Sequence, residues 1–295
     1  MPSISAIIPT YNHGRFVAEA IESALGQTRR LDEVIVVDDG STDDTGSVLS
    51  KYADRINVIR QKNSGVAAAR NRGAEQASGD LLAFLDSDDR WHPEKIERQA
   101  GLFETNPRLG LVHCGVREID ERGAGLREES AGLQGWVYKD LLMFQRPVIL
   151  GGGSAALIPK DVFDAAGGFD PDLSTSADWD LFYRVSRRYE VGFVPATLVD
   201  YRVHSGNMHG NIGAMEHDML LAFRKAFEDP DPDLQKIRRR CYGNLHTTLA
   251  GSYYVSGYYG RFLRHAVKGV ALTPRNLGRF AGYPMRMIQR LNSNP

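Results

Sequence analysis

Leu81-Leu82-Ala83-Phe84-Leu85-Asp86-Ser87-Asp88-Asp89 is an apolar run that ends abruptly in three carboxylates. Leu81 to Leu85 show no polar alternation, as expected of a strand covered on both faces in the middle of a parallel sheet. The acids then fall at its carboxyl end. Two carboxylates about 4 Å apart repel by roughly 4 kcal/mol at an effective dielectric near 20. A divalent ion reverses that sign, and Mg²⁺ and Mn²⁺ take oxygen ligands and bridge carboxylates to phosphates. The competing explanation is a solvated acidic turn, with Asp89 capping a helix whose first residue is Pro93.

Upstream, the same unit recurs. Ser5 to Ile8 form a strand followed by Pro9-Thr10-Tyr11-Asn12, and a helix carries Val17, Ile21, Ala24 and Leu25 on one face. Val34 to Val37 end in Asp38-Asp39-Gly40-Ser41-Thr42-Asp43, and Val48, Leu49 and Tyr52 lie on the next helix. Ile56 to Ile59 precede Asn63-Ser64-Gly65, and Val66 to Ala77 make an alanine-rich helix bearing Arg70, Asn71 and Arg72. Strand, loop and helix repeated four times predict an α/β fold, a Rossmann-like and mostly parallel sheet flanked by helices. Ligands of such sheets bind beyond the carboxyl ends of the strands, where four polar loops here converge. Neither G-x-G-x-x-G nor G-x-x-x-x-G-K-[ST] occurs, so phosphate is held in another way.

Downstream the regularity falls off. Leu109 to Cys114 are expected as a strand and Glu121 to Gly135 as a mobile, charged loop. Gly151-Gly152-Gly153-Ser154 allows a close backbone approach or an irregular turn, before a strand at Ala155 to Ile158 and a helix at Asp161 to Ala166. Thr175 to Val185 start polar and continue as an amphipathic helix, and Leu198 to His204 read as a strand that ends at a histidine. After a helix near Met215 to Phe227, Asp229-Pro230-Asp231-Pro232-Asp233 has the composition of a linker. The expected organisation is a domain at 1–228, with a nucleotide-binding half at about 1–107 and an acceptor-side half at about 108–228, followed by a basic helical extension at 229–295.

The 295 residues are 42% hydrophobic and 25% charged, an ordinary globular composition. Cys114 and Cys241 match no metal or redox spacing and suit a reducing compartment. There is no basic segment followed by a long apolar stretch at the N-terminus and no run of eighteen apolar residues, so the expected location is cytoplasmic. The net charge of −1 conceals an asymmetry: from Leu234 onward there are eleven Lys and Arg and no Asp or Glu. With the aromatic residues Tyr253, Tyr254, Tyr258, Tyr259 and Phe262 among them, these cations predict docking on an anionic membrane surface, on the inner face of the membrane. A basic arm on the acidic body of the same or a neighbouring subunit, in a homo-oligomer, competes with that. Nucleic acid is not expected as a partner, since no recognised module accompanies the charge.

Pro9-Thr10-Tyr11-Asn12, Val37-Asp38-Asp39-Gly40-Ser41-Thr42-Asp43, Asn63-Ser64-Gly65 with Ala69-Arg70-Asn71-Arg72-Gly73, and Asp86-Ser87-Asp88-Asp89 together resemble the family-2 glycosyltransferases of GT-A fold. The resemblance continues through Ala177-Asp178-Trp179-Asp180 and Tyr201-Arg202-Val203-His204, roughly residues 3 to 210. It implies inverting transfer of a sugar from a nucleoside-diphosphate-sugar to a hydroxyl of a saccharide or lipid-linked saccharide, with Mg²⁺ or Mn²⁺, in cell-surface polysaccharide or glycolipid synthesis. By resemblance, Pro9, Thr10, Tyr11 and Asp39 hold the nucleoside, with Asp39 accepting from the base. Arg70 lies near the diphosphate, Asp86 faces ribose or metal waters, Asp88 binds the metal, and Asp178 is the general base.

His204 is a further metal ligand or diphosphate donor, or a structural histidine at a strand end. The alternative for Asp178 is a first-turn helix acid, and for Asp39 a turn with Gly40 and Ser41. Arg184 and Arg202 are expected in internal ion pairs or at the surface, and Trp179 in the core or stacked on a sugar. Ala177 departs from the family, whose members usually carry Glu there. A catalytically silent relative that still binds sugar nucleotides is the alternative function. A nucleotidyltransferase is disfavoured by the lack of a glycine- and arginine-rich signature near the first strand, and a receiver-like domain by length and by an acid pair after the second strand.

Overall fold

The computed structural model describes residues 2–204, 206 and 210–280. The chain divides into two compact units, one of Met1–Tyr138 with Pro147–Gly210 and one of Lys139–Arg146 with Asn211–Pro295. The first unit begins β1 (Ile4–Thr10), α1 (Val17–Leu25), β2 (Glu33–Asp38), α2 (Thr45–Leu49), β3 (Asn57–Arg60), α3 (Val66–Gln76) and β4 (Leu81–Phe84). It continues with β5 (Arg90–Trp91), α4 (Lys95–Thr105), β6 (Leu109–Ile119) and β7 (Gly125–Glu129). After α5 (Tyr138–Met143), which runs from the first unit into the second, come α6 (Gly152–Ala155), β8 (Leu157–Pro159), α7 (Lys160–Ala166), α8 (Ala177–Ser186) and β9 (Glu190–Arg202).

Among the described residues these strands form one nine-stranded sheet in the order β3-β2-β1-β4-β8-β6-β9-β5, with β7 paired to β6. The first four strands are parallel, with Thr10 opposite Asp38 and Ile7 opposite Phe84. Their loops therefore leave from one edge. Strand β4 is buried throughout, as its unbroken apolar run requires. Helix α3 packs closely because Gly73 has no side chain: a Cβ there would lie 2.4 Å from Ile7 Cγ2.

Beyond β4 the pairing changes sense twice. Strand β8 is antiparallel to both β4 and β6, which returns β6 to the direction of β4, and β9 is parallel to β6. The carboxyl end of β9 thus reaches the same edge as the acidic loop after β4. That is how residues 201–204 come beside residues 86–89 from more than a hundred positions away.

Three local readings are corrected and one further element appears. Residues 121–135 contain β7, an arm of a hairpin with β6, turned where Asp120 Oδ1 accepts the N–H groups of Arg122 and Ala124. Ala155 closes a single helical turn, Gly152–Ala155, and the strand expected to start there begins at Leu157. Helix α4 begins at Lys95 with Glu94 at its N-cap, not at Pro93, and Asp89 caps nothing there. Arg90 and Trp91 form the short strand β5, pairing Arg90 with Asp200.

The second unit contains α9 (Ile212–Ala226), α10 (Pro232–Val255), α11 (Tyr259–Leu272) and α12 (Leu277–Phe280). Asp231 caps α10 by accepting the N–H of Asp233, with Pro232 in the first turn where no N–H is needed. Helices α10 and α11 approach through Gly243 and Gly269. Among the described residues no helix is long and apolar enough to cross a membrane.

Candidate active site

The loop after β4 is held from three sides. Asp86 Oδ1 accepts from Arg70 NH2 at 2.5 Å. Asp89 is buried and points away from the cleft, its Oδ2 accepting from Ser154 Oγ at 2.6 Å and its Oδ1 from the Arg202 N–H at 2.9 Å. Ser154 Oγ also accepts the Asp86 N–H. Burial, and then the charges of Asp88 and Asp86, push the Asp89 carboxyl well above its usual range, against the bonds from Ser154 and Arg202. Arg202 is fully buried, donating to the Asp88 carbonyl at 2.8 Å and to Glu19 at 2.7 Å. It is an internal ion pair that clamps the acidic loop, and Arg184 likewise pairs internally with Asp180.

Arg70 alters the electrostatic expectation. Burial works against its charge, but Asp86, Asp178 and Asp89 outweigh burial and raise its pKa. The acids are therefore partly neutralised by a fixed guanidinium, and Asp86 is paired with it. Asp88 instead meets His204, whose Nε2 lies 2.9 Å from Asp88 Oδ2. The Gly206 N–H donates to His204 Nδ1, so Nδ1 offers its lone pair and Nε2 carries the proton facing Asp88. One ligand atom each from His13, Asp88 and His204 lie within 4.8 Å of one another. Two imidazoles and a carboxylate are a donor set that fits a divalent first-row ion. Asp86 is outside that group.

The loops after β1 and β2 are pinned together. Asn12 adopts a left-handed φ of 54°, its Oδ1 accepting the Thr42 N–H at 2.7 Å while its own N–H donates to Ser41 Oγ. The turn weighed as the alternative for Asp39 belongs to Asp38, whose Oδ1 accepts the Ser41 N–H. Asp39 reaches across to the next loop, accepting from Gln61 Nε2 and from the N–H groups of Ser64 and Gly65 at 2.8–2.9 Å. Three bonds leave this carboxylate acceptor capacity for one more donor. Thr10 Oγ1 and Arg70 Nε are buried without a partner, and such atoms are costly unless a ligand or water meets them.

Asp178 lies in the first turn of α8, its Oδ1 accepting the Trp179 N–H at 2.7 Å. Its Oδ2 sits against Gly152, where a Cβ would be 2.5 Å away, and a Cβ on Gly153 would be 3.1 Å from Arg70 NH2. The glycine run thus makes room for both charged side chains. Trp179 stacks on Tyr183 at 5.8 Å. Pro9, Thr10, Tyr11, Asp39, Arg70, Asp86, Asp88 and Asp178 all line one cleft of about 330 Å³, with Tyr201 and Gly206. Burial, reinforced by the nearby acids, raises the Tyr201 phenol, so it stays protonated.

Every cleft residue expected from the sequence is on this cleft except His204, which touches it through Asp88. Four residues of the site were not foreseen in these roles: His13, Ser154, Gly152 and Gly153. A Gly-Gly-Gly-Ser run was a usable signal for the last three. No spacing connects His13 to Asp88, since only the adjacency of β1 and β4 joins them.

Residues 5–166 match the family described as glycosyl transferase family 2. An uncharacterized glycosyltransferase of Rickettsia typhi is 34% identical over 205 residues, 69% of this chain and 64% of that protein. The chondroitin synthase of Escherichia coli is 31% identical over 213 residues, 71% of this chain and 29% of the synthase. The chain thus spans less than two thirds of the length of these relatives. A mannosyltransferase of Pyrobaculum calidifontis, solved with GDP-Man and Mn²⁺, superposes with a TM-score of 0.65 at 20% identity, covering 96% of this chain and 82% of that one. The fold is that of the GT-A transferases, and the chain belongs to glycosyl transferase family 2.

Proposed function

We propose that this protein transfers a sugar from a nucleoside-diphosphate-sugar to an acceptor hydroxyl, inverting the anomeric carbon, with the help of a divalent ion. The observation that carries this is one cleft lined both by Asp178 and by the Asp86-Ser87-Asp88 loop, with buried Arg70 between their charges. Asp39 accepts from the nucleoside base and Tyr11, whose ring is exposed at the cleft, stacks on it. Thr10 Oγ1 and Arg70 Nε meet the donor's polar groups. Asp178 takes the proton of the acceptor hydroxyl as it attacks, worth about 10²–10⁴-fold. Its N-terminal helix position and the Trp179 N–H orient it where family members use Glu at 177.

Asp88 and His204 hold the ion, with Asp86 kept by Arg70 for ribose or bound water. When bound, the ion supplies Lewis-acid stabilisation of the departing diphosphate. Likeness to a chondroitin synthase supports a growing polysaccharide or lipid-linked saccharide as acceptor. In this reading residues 1–107 hold the donor and residues 108–228 present the acceptor.

The exposed side chains of Leu263, Val267 and Leu277, with Arg264 and Lys268 among them, support docking of the helical extension on an anionic membrane. The enzymatic proposal is tested by thermal shift against GDP, UDP and their sugars with Mn²⁺ or with EDTA, since binding raises the melting temperature with ligand concentration. A shift that needs Mn²⁺, together with donor hydrolysis, is expected. Binding without any donor breakdown favours the silent relative, and no shift with any nucleotide contradicts both.

A further inference from the structure

We propose that His13 is a third protein ligand of the ion, and that its second imidazole makes the site rank Mn²⁺ and Co²⁺ above Mg²⁺. This rests on the metal-dependent reading above and adds to it a residue from a different loop.

His13 is not a loose surface side chain. The left-handed turn at Asn12, fixed by Ser41 and Thr42, precedes it. Its own carbonyl then accepts the N–H groups of Phe16 and Val17 at 2.9 Å, opening α1. Between these anchors the ring is delivered to the acidic loop, where Nδ1 lies 2.8 Å from Ser87 Oγ. With Nδ1–H given to Ser87, Nε2 is the nitrogen left with a lone pair, the usual arrangement of a ligating imidazole steadied by a second bond. Phe16 packs on both rings, 6.3 Å from His13 and 5.2 Å from His204, and His13 meets His204 edge-on at 5.9 Å.

Atoms that share an ion at about 2.1 Å stand roughly 3–4 Å apart. The His13, Asp88 and His204 atoms, all within 4.8 Å, need to close by no more than about 2 Å. Binding at His204 Nε2 displaces the proton it presents to Asp88, as expected when a ligand must be deprotonated. Mg²⁺ holds to oxygen and water, whereas imidazole suits first-row transition ions, so two nitrogens tilt the preference.

The test is pulsed EPR and calorimetry of the full chain with Mn²⁺, alone and with GDP or UDP, for wild type, His13→Gln and Ser87→Ala. Wild type is expected to give coupling to two imidazole nitrogens and His13→Gln to one, with Mn²⁺ affinity lower by at least the roughly 10-fold that loss of even a supporting partner costs and Mg²⁺ affinity changed less. Ser87→Ala should keep two nitrogens. A single coupled nitrogen in the wild type overturns the two-imidazole site, and this count stands even if His13→Gln does not fold. No Mn²⁺ bound under any condition overturns this inference and metal dependence together.

Discussion

Asp178 and Gly152 are in contact in the sense that matters for chemistry: a methyl on Gly152 would lie 2.5 Å from Asp178 Oδ2. Gly152 also has a positive φ of 52°, so a side chain there is strained as well as crowded. Gly152→Ala should leave nucleotide affinity within about 3-fold, since it touches no nucleotide-side loop, and reduce transfer about 100-fold, a displacement of the base of about 1 Å being enough. Steady-state transfer and nucleotide calorimetry on the same variant check this.

Arg70 is the fixed cation among three acids, and removing it leaves Asp86 and Asp178 uncompensated. Arg70→Met is expected to lower the free energy of unfolding by about 3 kcal/mol, because breaking one side of a buried pair strands the other. Adding Asp86→Asn should recover a large part of that. Urea melts that are equal for the single and double variants would place the stabilisation elsewhere.

His113 is buried with both ring nitrogens used as a neutral imidazole, Nε2–H donating to the Leu133 carbonyl and Nδ1 accepting the Leu150 N–H. Burial lowers its pKa to about 4, against the bond to Leu133. The unfolded chain binds that proton first, near pH 6.5, so stability present above that pH is lost as pH falls toward about 4. The slope is up to about 1.4 kcal/mol per pH unit for this group, about 3 kcal/mol in all. His113→Gln should reduce the proton uptake on unfolding by one over this range, measured from urea melts at a series of pH values.

Helix α11 offers a separate test. Leu263→Glu with Val267→Glu should abolish flotation with anionic liposomes while leaving soluble-acceptor transfer unchanged. Wild type that ignores lipid charge would remove the membrane from the account.

The half of the fold made of β1 to β4 was legible because β1, β2 and β4 are largely apolar runs, β3 is the exposed edge strand Asn57–Arg60 beside them, and each loop is a polar cluster, so the pattern gives a parallel sheet and its binding edge. Strand β7 was hidden: Leu126, Arg127 and Glu128 are all exposed and two of them are charged, and they are a strand only because β6 extends far enough to pair with them. The same long-range dependence hid β5, just two residues long. Within the site, Asp88 stood out by its neighbours in sequence, whereas Asp178 was reached only through the family resemblance. The work of Ser154, which joins Asp86 to Asp89, depends on β8 lying antiparallel beside β4. Asp39 was expected at the cleft and is there, yet its bridge to Ser64 and Gly65 rather than to Ser41 follows from the pairing of β2 with β3.

The most direct measurement compares Asp178→Asn with wild type for sugar transfer and for nucleotide binding in Mn²⁺. A general base predicts a fall in transfer of 100-fold or more with binding intact. Transfer at the wild-type rate would contradict the account.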